Sequence, residues 1–360
     1  MALTQHIVYN GNDQNPRIEA SIIKISIIGS GSWGTAIAIM LAENGHNVTL
    51  WSYTQAACDD MKTFYENRPL LPGFAIPKNV THTTNLQDCT PADIIVCALP
   101  SFAVRSTMAQ LAPHIKNGQV VVNISKGLEN ESLLTLSTVL RETLPGCEIV
   151  VMSGPSHAEE VANKIPTTNV VASASGDTAQ YVQDVFMNPY FRVYTHPDVL
   201  GVELGGSLKN VIALCAGISD GLGFGDNTKA ALMTRGIYEI TRLGVAMGAN
   251  AETFGGLSGI GDLIVTCTSM HSRNRRAGIL IGQGKTPEEV RSEINMVIEG
   301  INTCKAAKML ADKMGVEMPI INQAYAVLFE GKPAKEATLS LMNRDKRRES
   351  EATYLGPVPN

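Results

Sequence analysis

The sequence has few of the features that mark secreted or metal-binding proteins. Its seven cysteines are odd in number, scattered and never spaced as C-x-x-C, which fits reduced thiols used as small apolar residues. Its seven histidines form no H-x-x-x-H pair and no mixed cluster with cysteine, so a zinc site built by the protein is not expected. We therefore expect no metal and a reducing compartment.

Long apolar runs and a basic excess are also missing. No apolar stretch reaches the length of a membrane span, and residues 1–20 lack the apolar core of a signal peptide. The net charge of −5 argues against nucleic-acid binding, since basic residues are dense only at 273–276 and 346–348. The sequence thus predicts a cytoplasmic protein with neither a membrane span nor a nucleic-acid partner.

What is present is a glycine pattern between two predicted strands. The apolar run 25–28 suits a buried parallel strand, Gly29, Gly31 and Gly34 give G-x-G-x-x-G spacing, and residues 35–44 are helix formers. In such a βαβ unit the first glycine permits the turn, the second admits a pyrophosphate and the third lets helix pack on strand. The phosphates then lie at the positive helix N-terminus, so the segment predicts a dinucleotide site.

The end of the second strand leaves the choice of nucleotide open. A preference for NAD is usually marked by Asp or Glu there, but this chain has Trp51-Ser52-Tyr53. Without a carboxylate, a 2′-phosphate is tolerated, although no arginine stands beside the turn to attract it. Use of NADPH alone and use of both nucleotides therefore remain open.

Strand and helix signals divide the chain in two. Strand-like runs separated by helical segments predict a parallel sheet covered on both faces. Beyond about residue 198 the sequence reads as helical, and Asp198 could cap a long helix. We expect an α/β Rossmann-type domain over 22–197 and an all-α domain over 198–345, with a polar extension (1–21) and a polar tail (346–360). The expected strands are Ile25–Ile28, Val48–Trp51, Ile94–Ala98, Val120–Ile124, Ile149–Met152, Val170–Ala174 and Phe191–Tyr194.

Two polar clusters follow predicted strands, where ligands sit in this architecture. Lys126 could face a nicotinamide or an anionic substrate, or it could be a solvated loop lysine. Ser156 could cap a helix in a capping box with Glu159, and the Gly154-Pro155 turn could instead offer backbone N–H groups to an anion.

Two further clusters lie in the helical half. Lys209 is a lone charge in an apolar helix, where desolvation would lower its pKa and suit proton transfer, unless the side chain snorkels to solvent. Arg273 and its neighbours could clamp a phosphate or could form an exposed basic helix start. Asp262 could cap the residues that follow it or orient Lys209.

Taken together, these motifs closely resemble the NAD(P)-dependent glycerol-3-phosphate dehydrogenases of the bacterial type, over about residues 23–348. Two features depart from that family: the N-terminal extension, and Tyr53, where relatives often carry His or Arg near the adenosine ribose. The motifs are Gly29-Ser-Gly-Ser-Trp-Gly34, Asn123-Ile-Ser-Lys-Gly127, Ser153-Gly-Pro-Ser156, Gly205-Gly-Ser-Leu-Lys-Asn210, residues 217–229, Gly259-Ile-Gly-Asp-Leu263 and Ser272-Arg-Asn274.

The resemblance implies reversible reduction of dihydroxyacetone phosphate to sn-glycerol 3-phosphate with NADPH or NADH, for glycerophospholipid synthesis. It implies a helical domain like the C-terminal domain of 6-phosphogluconate dehydrogenase, and it suggests a homodimer. By the same resemblance Lys209 is the acid/base. Cofactor positions are Gly29, Gly31, Ser32, Trp33, Gly34, Tyr53, Lys126, Ala158, Arg273, Val297 and Glu299. Substrate positions are Lys126, Gly154, Ser156, Lys209, Asp262, Ser272, Arg273 and Asn274.

Two other functions stay open. One is another two-domain dehydrogenase, of the 3-hydroxyisobutyrate or 6-phosphogluconate type. The motif at residues 272–274 argues against this alternative. The other is a non-catalytic dinucleotide sensor, which would have no need of Lys209 in an apolar helix.

Overall fold

The computed structural model describes residues 7–8, 17–18, 22–294, 296–346 and 349. The expected extension 1–21 and tail 346–360 lie almost wholly outside the described residues.

The first half of the chain alternates strands and helices. Its elements are β1 (Ile7–Val8), β2 (Arg17–Ile18), β3 (Lys24–Ile28), α1 (Ser32–Glu43), β4 (Asn47–Trp51), α2 (Gln55–Phe64), β5 (Glu66–Asn67), β6 (Leu71–Ala75), β7 (Val80–Thr83), β8 (Ile94–Cys97), α3 (Val104–Leu111), β9 (Val120–Asn123), α4 (Leu136–Thr143), β10 (Glu148–Ser153), α5 (Ala158–Ala162), β11 (Thr167–Ala172), α6 (Gly176–Phe186) and β12 (Phe191–His196).

The second half is helical, as expected. It contains α7 (Val199–Gly221), α8 (Asp226–Ala246), α9 (Asp262–Thr268), α10 (Arg273–Gly282), α11 (Pro287–Ile294), α12 (Glu299–Met314), α13 (Pro319–Phe329) and α14 (Ala334–Met342). The predicted cap is confirmed, because the Gly201 N–H donates to Asp198 Oδ1 over 2.9 Å at the start of α7.

The main sheet has eight strands in the order β12-β11-β10-β9-β8-β3-β4-β7. The seven expected strands are present with ends shifted by up to three residues, and β7 is an edge strand that was not expected. The sheet is not wholly parallel as predicted, since β11 runs antiparallel to β10 and β12 follows β11. The five-residue helix α5 spans only about 8 Å, too short to carry the chain back along a strand of about 20 Å for a parallel crossover.

Helix α7 is the core of the helical half. By length and composition it could cross a membrane, contrary to the expectation that no stretch suggested a span. However, 94% of its apolar window is buried inside the protein, against the other helices of this half. Its apolar character therefore has an explanation in packing within the fold.

Helices α7 and α10 touch through their backbones. A Cβ placed on Gly278 of α10 would lie 2.0 Å from the Leu214 carbonyl oxygen, and one on Gly217 of α7 would lie 2.0 Å from the Arg275 oxygen. Only glycine permits this approach. The contact fixes α10, which begins at Arg273, relative to the helix that carries Lys209.

We predict that Gly278→Ala lowers the free energy of unfolding by roughly 2–3 kcal/mol, because the added methyl must push two helices apart. Urea unfolding followed by circular dichroism measures this. The matched control is Gly176→Ala in the first turn of α6, where a Cβ meets no described atom within 4 Å and stability should be unchanged or slightly raised. Equal stability of the two variants would contradict the close-contact interpretation.

Candidate active site

A cleft of about 620 Å³ lies between the carboxyl ends of the central strands and the helices α7, α9, α10 and α12. It is lined by all the site residues predicted from sequence except Gly154. A second cavity, of about 850 Å³, lies among α7, α8, α13 and α14 and is lined by none of them. The larger volume is therefore not where the predicted chemistry lies.

The three glycines of the first turn have different surroundings. Gly29 has φ +120°, and a Cβ there would lie 2.5 Å from the Ala98 oxygen, while one on Gly34 would lie 2.0 Å from the Gly29 oxygen. A Cβ on Gly31 would meet no described atom within 4 Å, because this residue borders the cleft at the start of α1. The open cradle at Gly31 and the helix N-terminus fit a pyrophosphate.

Aromatic side chains line the same end of the cleft. Trp33, Trp51 and Tyr53 border it, and Tyr53 is 86% exposed. Trp51 is fixed by donation from Nε1 to the Thr84 oxygen over 2.9 Å. This end therefore offers flat apolar surface and, over residues 51–53, no carboxylate.

At the other end, one carboxylate holds two lysines. Lys209 Nζ of α7 donates to Asp262 Oδ1 over 2.5 Å, and Lys126 Nζ, beyond β9, donates to Asp262 Oδ2 over 2.6 Å. The side chains of Lys209 and Asp262 are almost completely buried, whereas that of Lys126 is 16% exposed. Asp262 thus orients Lys209, one of the two alternatives left open by the sequence.

Lys126, Lys209 and Asp262 form a charged triad, in which burial and charge both shift the pKa values of Lys209 and Asp262. Burial lowers the pKa of Lys209 to about 8, with Lys126 adding to the shift and Asp262 opposing it. For Asp262, burial alone would raise the pKa of the carboxyl, but the two ammonium groups hold it below its ordinary value. The site therefore contains a lysine that can exchange a proton near neutral pH beside a carboxylate that stays ionised.

Two residues beside the triad were not singled out from sequence. Thr266 Oγ1 accepts from Lys209 Nζ over 2.5 Å and donates to the Asp262 main-chain oxygen over 2.6 Å. Its spacing of four residues from Asp262 on one helix is a signal that could have identified it. Asn210 also lines the cleft, next to Lys209 in the chain.

The strand-end loop after β10 binds Lys126. Ser156 Oγ accepts from Lys126 Nζ over 2.7 Å, and the Gly154 carbonyl accepts from the same nitrogen over 3.0 Å. The predicted capping box is wrong: α5 begins at Ala158, its N-cap is His157, and no side chain caps it. The Ser156 hydroxyl accepts a hydrogen bond from Lys126, 30 residues earlier in the chain, and it does not cap α5.

The start of α10 presents a free guanidinium to the cleft. Arg273 is half-buried and forms no hydrogen bond or ion pair with the residues that the structure describes. Arg275, by contrast, donates to Asp220 Oδ2 over 2.8 Å and to the Thr268 oxygen over 2.6 Å. Ser272 caps the helix by accepting from the Arg275 N–H over 3.2 Å. Of these two arginines, Arg273 is the one available to an anion.

Asn274 braces three helices at this end of the cleft. Its Nδ2 donates to Asn210 Oδ1 over 3.0 Å, and its Oδ1 accepts from the Gly300 N–H over 2.8 Å. Val297 and Glu299, just before and at the start of α12, also line the cleft. The brace therefore joins α7, α10 and α12 where they meet the cleft.

Two histidines at the cleft were also missed. The rings of His157 and His271 lie 5.7 Å apart, and both residues line the cavity. Burial, together with the charge of Lys209, lowers the pKa of His157. Among the described residues, no group of three or more His, Cys, Asp or Glu side chains could hold a metal ion.

Family models match both halves of the chain. Residues 24–179 match the model of the NAD-dependent glycerol-3-phosphate dehydrogenase N-terminus, and residues 198–339 match that of the C-terminus. Together the two models cover most of the chain, with residues 180–197 lying between them.

Individual relatives agree. A glycerol-3-phosphate dehydrogenase, NAD(P)+, of Fusobacterium nucleatum is 54% identical over 334 residues, which cover 92% of this chain and 100% of the relative. One of Agathobacter rectalis is 54% identical over 327 residues, covering 91% and 97%.

A solved structure extends the agreement to three dimensions. The crystal structure of glycerol-3-phosphate dehydrogenase from Coxiella burnetii superposes with a TM-score of 0.87 at 37% identity, covering 90% of this chain and 99% of that one. The chain belongs to the family of NAD(P)-dependent glycerol-3-phosphate dehydrogenases.

Proposed function

We propose that this enzyme reduces dihydroxyacetone phosphate reversibly to sn-glycerol 3-phosphate, with Lys209 as the acid/base. The observation that carries the proposal is the Lys209–Asp262 pair, which lies in the same cleft as the Gly31 turn and the unpaired Arg273. A proton donor, a nucleotide cradle and an anion-binding group are thereby brought together in one cavity.

Lys209 meets the proton demand of the reaction. A bound reduced nicotinamide supplies the hydride, and negative charge develops on the oxygen of the C2 carbonyl. Lys209 donates a proton from Nζ to that oxygen and takes it back in the reverse direction. Thr266 and Asp262 orient the amine, since each makes a hydrogen bond of 2.5 Å with it.

Lys126 adds positive potential beside the reacting oxygen. Its ammonium group is fixed by Asp262, Ser156 and the Gly154 carbonyl, so it needs no rearrangement when charge develops. Asp262 balances both lysines and keeps two ammonium groups compatible in a buried site.

Arg273 is the proposed phosphate ligand. A guanidinium can bind two phosphate oxygens, and the N-terminus of α10 adds partial positive charge at the same place. Ser272 and Asn274 shape this end through the helix cap and the brace to Asn210. The proposed substrate residues are Lys126, Gly154, Ser156, Lys209, Asp262, Ser272, Arg273 and Asn274.

The nucleotide is proposed to lie along the rest of the cleft. Its residues are Gly29, Gly31, Ser32, Trp33, Gly34, Tyr53, Lys126, Ala158, Arg273, Val297 and Glu299, all of which line the cavity. We propose that NADPH and NADH are both accepted, because the end of β4 has neither a carboxylate to repel a 2′-phosphate nor an arginine to bind it.

Cellular context is part of the proposal. We propose that the two domains meet at residues 197/198 and that the product supplies glycerophospholipid synthesis in the cytoplasm. The cysteines of the described residues are free, which is compatible with a reducing compartment. A homodimer is the proposed assembly, and light scattering that shows only monomer would remove it.

We predict that Lys209→Met abolishes turnover and leaves NADPH binding nearly intact, because the amine is lost at the reacting end only. Initial rates of dihydroxyacetone phosphate reduction measure turnover, and a fluorescence titration measures NADPH binding. Lys313→Met, an exposed lysine in the last turn of α12, is the control that should keep full activity. Retention of most activity by Lys209→Met would contradict the acid/base assignment.

The same lysine sets a pH dependence in the unmodified enzyme. Ketone reduction needs the protonated amine, so kcat/KM for dihydroxyacetone phosphate should fall as pH rises through about 8, and oxidation of glycerol 3-phosphate should rise over the same range.

We predict that Arg273→Ala raises KM for dihydroxyacetone phosphate by roughly ten- to hundredfold, the loss expected for a charge-assisted hydrogen bond. Initial rates with dihydroxyacetone, which lacks the phosphate, should be poor in both proteins and differ little between them. Arg291→Ala on the exposed face of α11 is the charge-matched control. An unchanged KM in the Arg273 variant would remove the phosphate clamp.

We predict that Tyr53→Asp lowers kcat/KM for NADPH by about tenfold relative to that for NADH, because a carboxylate at this exposed position repels the 2′-phosphate. Parallel assays with the two nucleotides give the ratio. Tyr53→Asn removes the ring without adding charge and should leave the ratio near that of the unmodified enzyme. Equal ratios of kcat/KM for NADPH to that for NADH in the two variants would indicate that the adenosine ribose does not lie beside residue 53.

A further inference from the structure

The carboxylate of Glu299 bridges the two halves of the chain at the cleft. Glu299 is the first residue of α12, and its partner, Ser101, follows the carboxyl end of β8. The Ser101 N–H donates to Oε1 over 3.0 Å, and the Ser101 hydroxyl donates to Oε2 over 2.8 Å. Both carboxylate oxygens are therefore held by one residue.

The surroundings of this pair leave little freedom. Ser101 is 2% exposed, and a Cβ on Gly127 would lie 2.8 Å from Ser101 Cβ and 3.1 Å from Glu299 Oε2. Gly127 is itself fixed from the other side, since Ser207 Oγ accepts from its N–H and donates to its oxygen, each over 3.0 Å. The Ser101–Glu299 pair consequently packs against the loop that carries Lys126.

Ser101 also affects the ionisation of Glu299. Burial raises the pKa of Glu299, while the two hydrogen bonds from Ser101 and the charge of Arg273 on α10 act to lower it. The Lys126 ammonium of the neighbouring loop is engaged by Asp262. Removal of the Ser101 hydroxyl would thus favour the protonated form of Glu299.

We propose that Ser101 is a positioning residue of the dehydrogenase, whose N–H and hydroxyl hold the Glu299 carboxylate in place to accept a hydrogen bond from the carboxamide of the nicotinamide. The inference rests on the proposed function, because it takes Glu299 as a cofactor ligand. A carboxylate has lone pairs beyond the two that Ser101 uses, so it can accept from an amide N–H as well. A protonated Glu299 would lose acceptor strength.

The test is the pH dependence of NADPH binding to Ser101→Ala, measured by fluorescence titration in the absence of substrate. At low pH the Kd should rise roughly ten- to hundredfold over that of the unmodified enzyme, and the difference should shrink at high pH as Glu299 ionises again. The loss of binding is expected at low pH because a carboxyl group with a raised pKa is protonated there. Ser106→Ala, an exposed serine on α3, is the matched control and should bind as the unmodified enzyme does at both pH values.

Two further variants separate positioning from folding. Ser101→Cys keeps a weak donor of similar size and should give an intermediate shift in the acid limb. In a Glu299→Gln background, which cannot change charge, Ser101→Ala should add little further loss and the pH dependence should disappear. Ser101→Cys and the Glu299→Gln single variant report the interaction even if Ser101→Ala folds poorly.

A defect of the same size at every pH, or a full additional loss in the Glu299→Gln background, would overturn the proposal. Failure of the proposed function has a different signature. If the unmodified enzyme binds NADPH but does not reduce dihydroxyacetone phosphate, the reaction assignment fails while the pH profile of binding still reports on Ser101.

Discussion

The site depends on one buried carboxylate. Asp262 accepts from Lys209 and Lys126 at once, and without it two ammonium groups would face each other in a desolvated space. The arrangement joins α9 to α7 and to the loop after β9, so the contact that supplies electrostatic balance also sets the relative position of the helical half and the sheet. The proposed acid/base chemistry and the assembly of the cleft thus share one interaction.

Backbone contact between α7 and α10 makes the surroundings of Asp262 rigid. Gly217 and Gly278 allow α7 and α10 to touch, which fixes the start of α10, where Arg273 lies, relative to the helix of Lys209. Asn274 and Glu299 extend the same framework to α12 and to the end of β8. A substrate that spans the cleft would therefore meet groups held by packing, with little reorganisation needed when it binds.

Sequence reasoning succeeded where the signal is local and failed where it is not. The Gly29 turn, the cap at Asp198 and the helical second half depend on residues close together in the chain. The Ser156 capping box looked equally local, yet Lys126, 30 residues away, uses that hydroxyl instead. The reversal of β11 was missed because strand patterns carry no direction, and only the length of α5 excludes a crossover.

By itself the sequence determined the dinucleotide turn, the alternation of strands and helices, and a lysine in an apolar helix whose chemistry depends on burial. Backbone preferences and the energetic cost of burying a charge are properties of residue types, so they can be read from a linear chain. Tertiary structure alone decided which acid balances Lys209, that Asp220 pairs with Arg275, and that Ser101 binds Glu299 across 198 residues. Those choices depend on packing between distant elements, which no local pattern encodes.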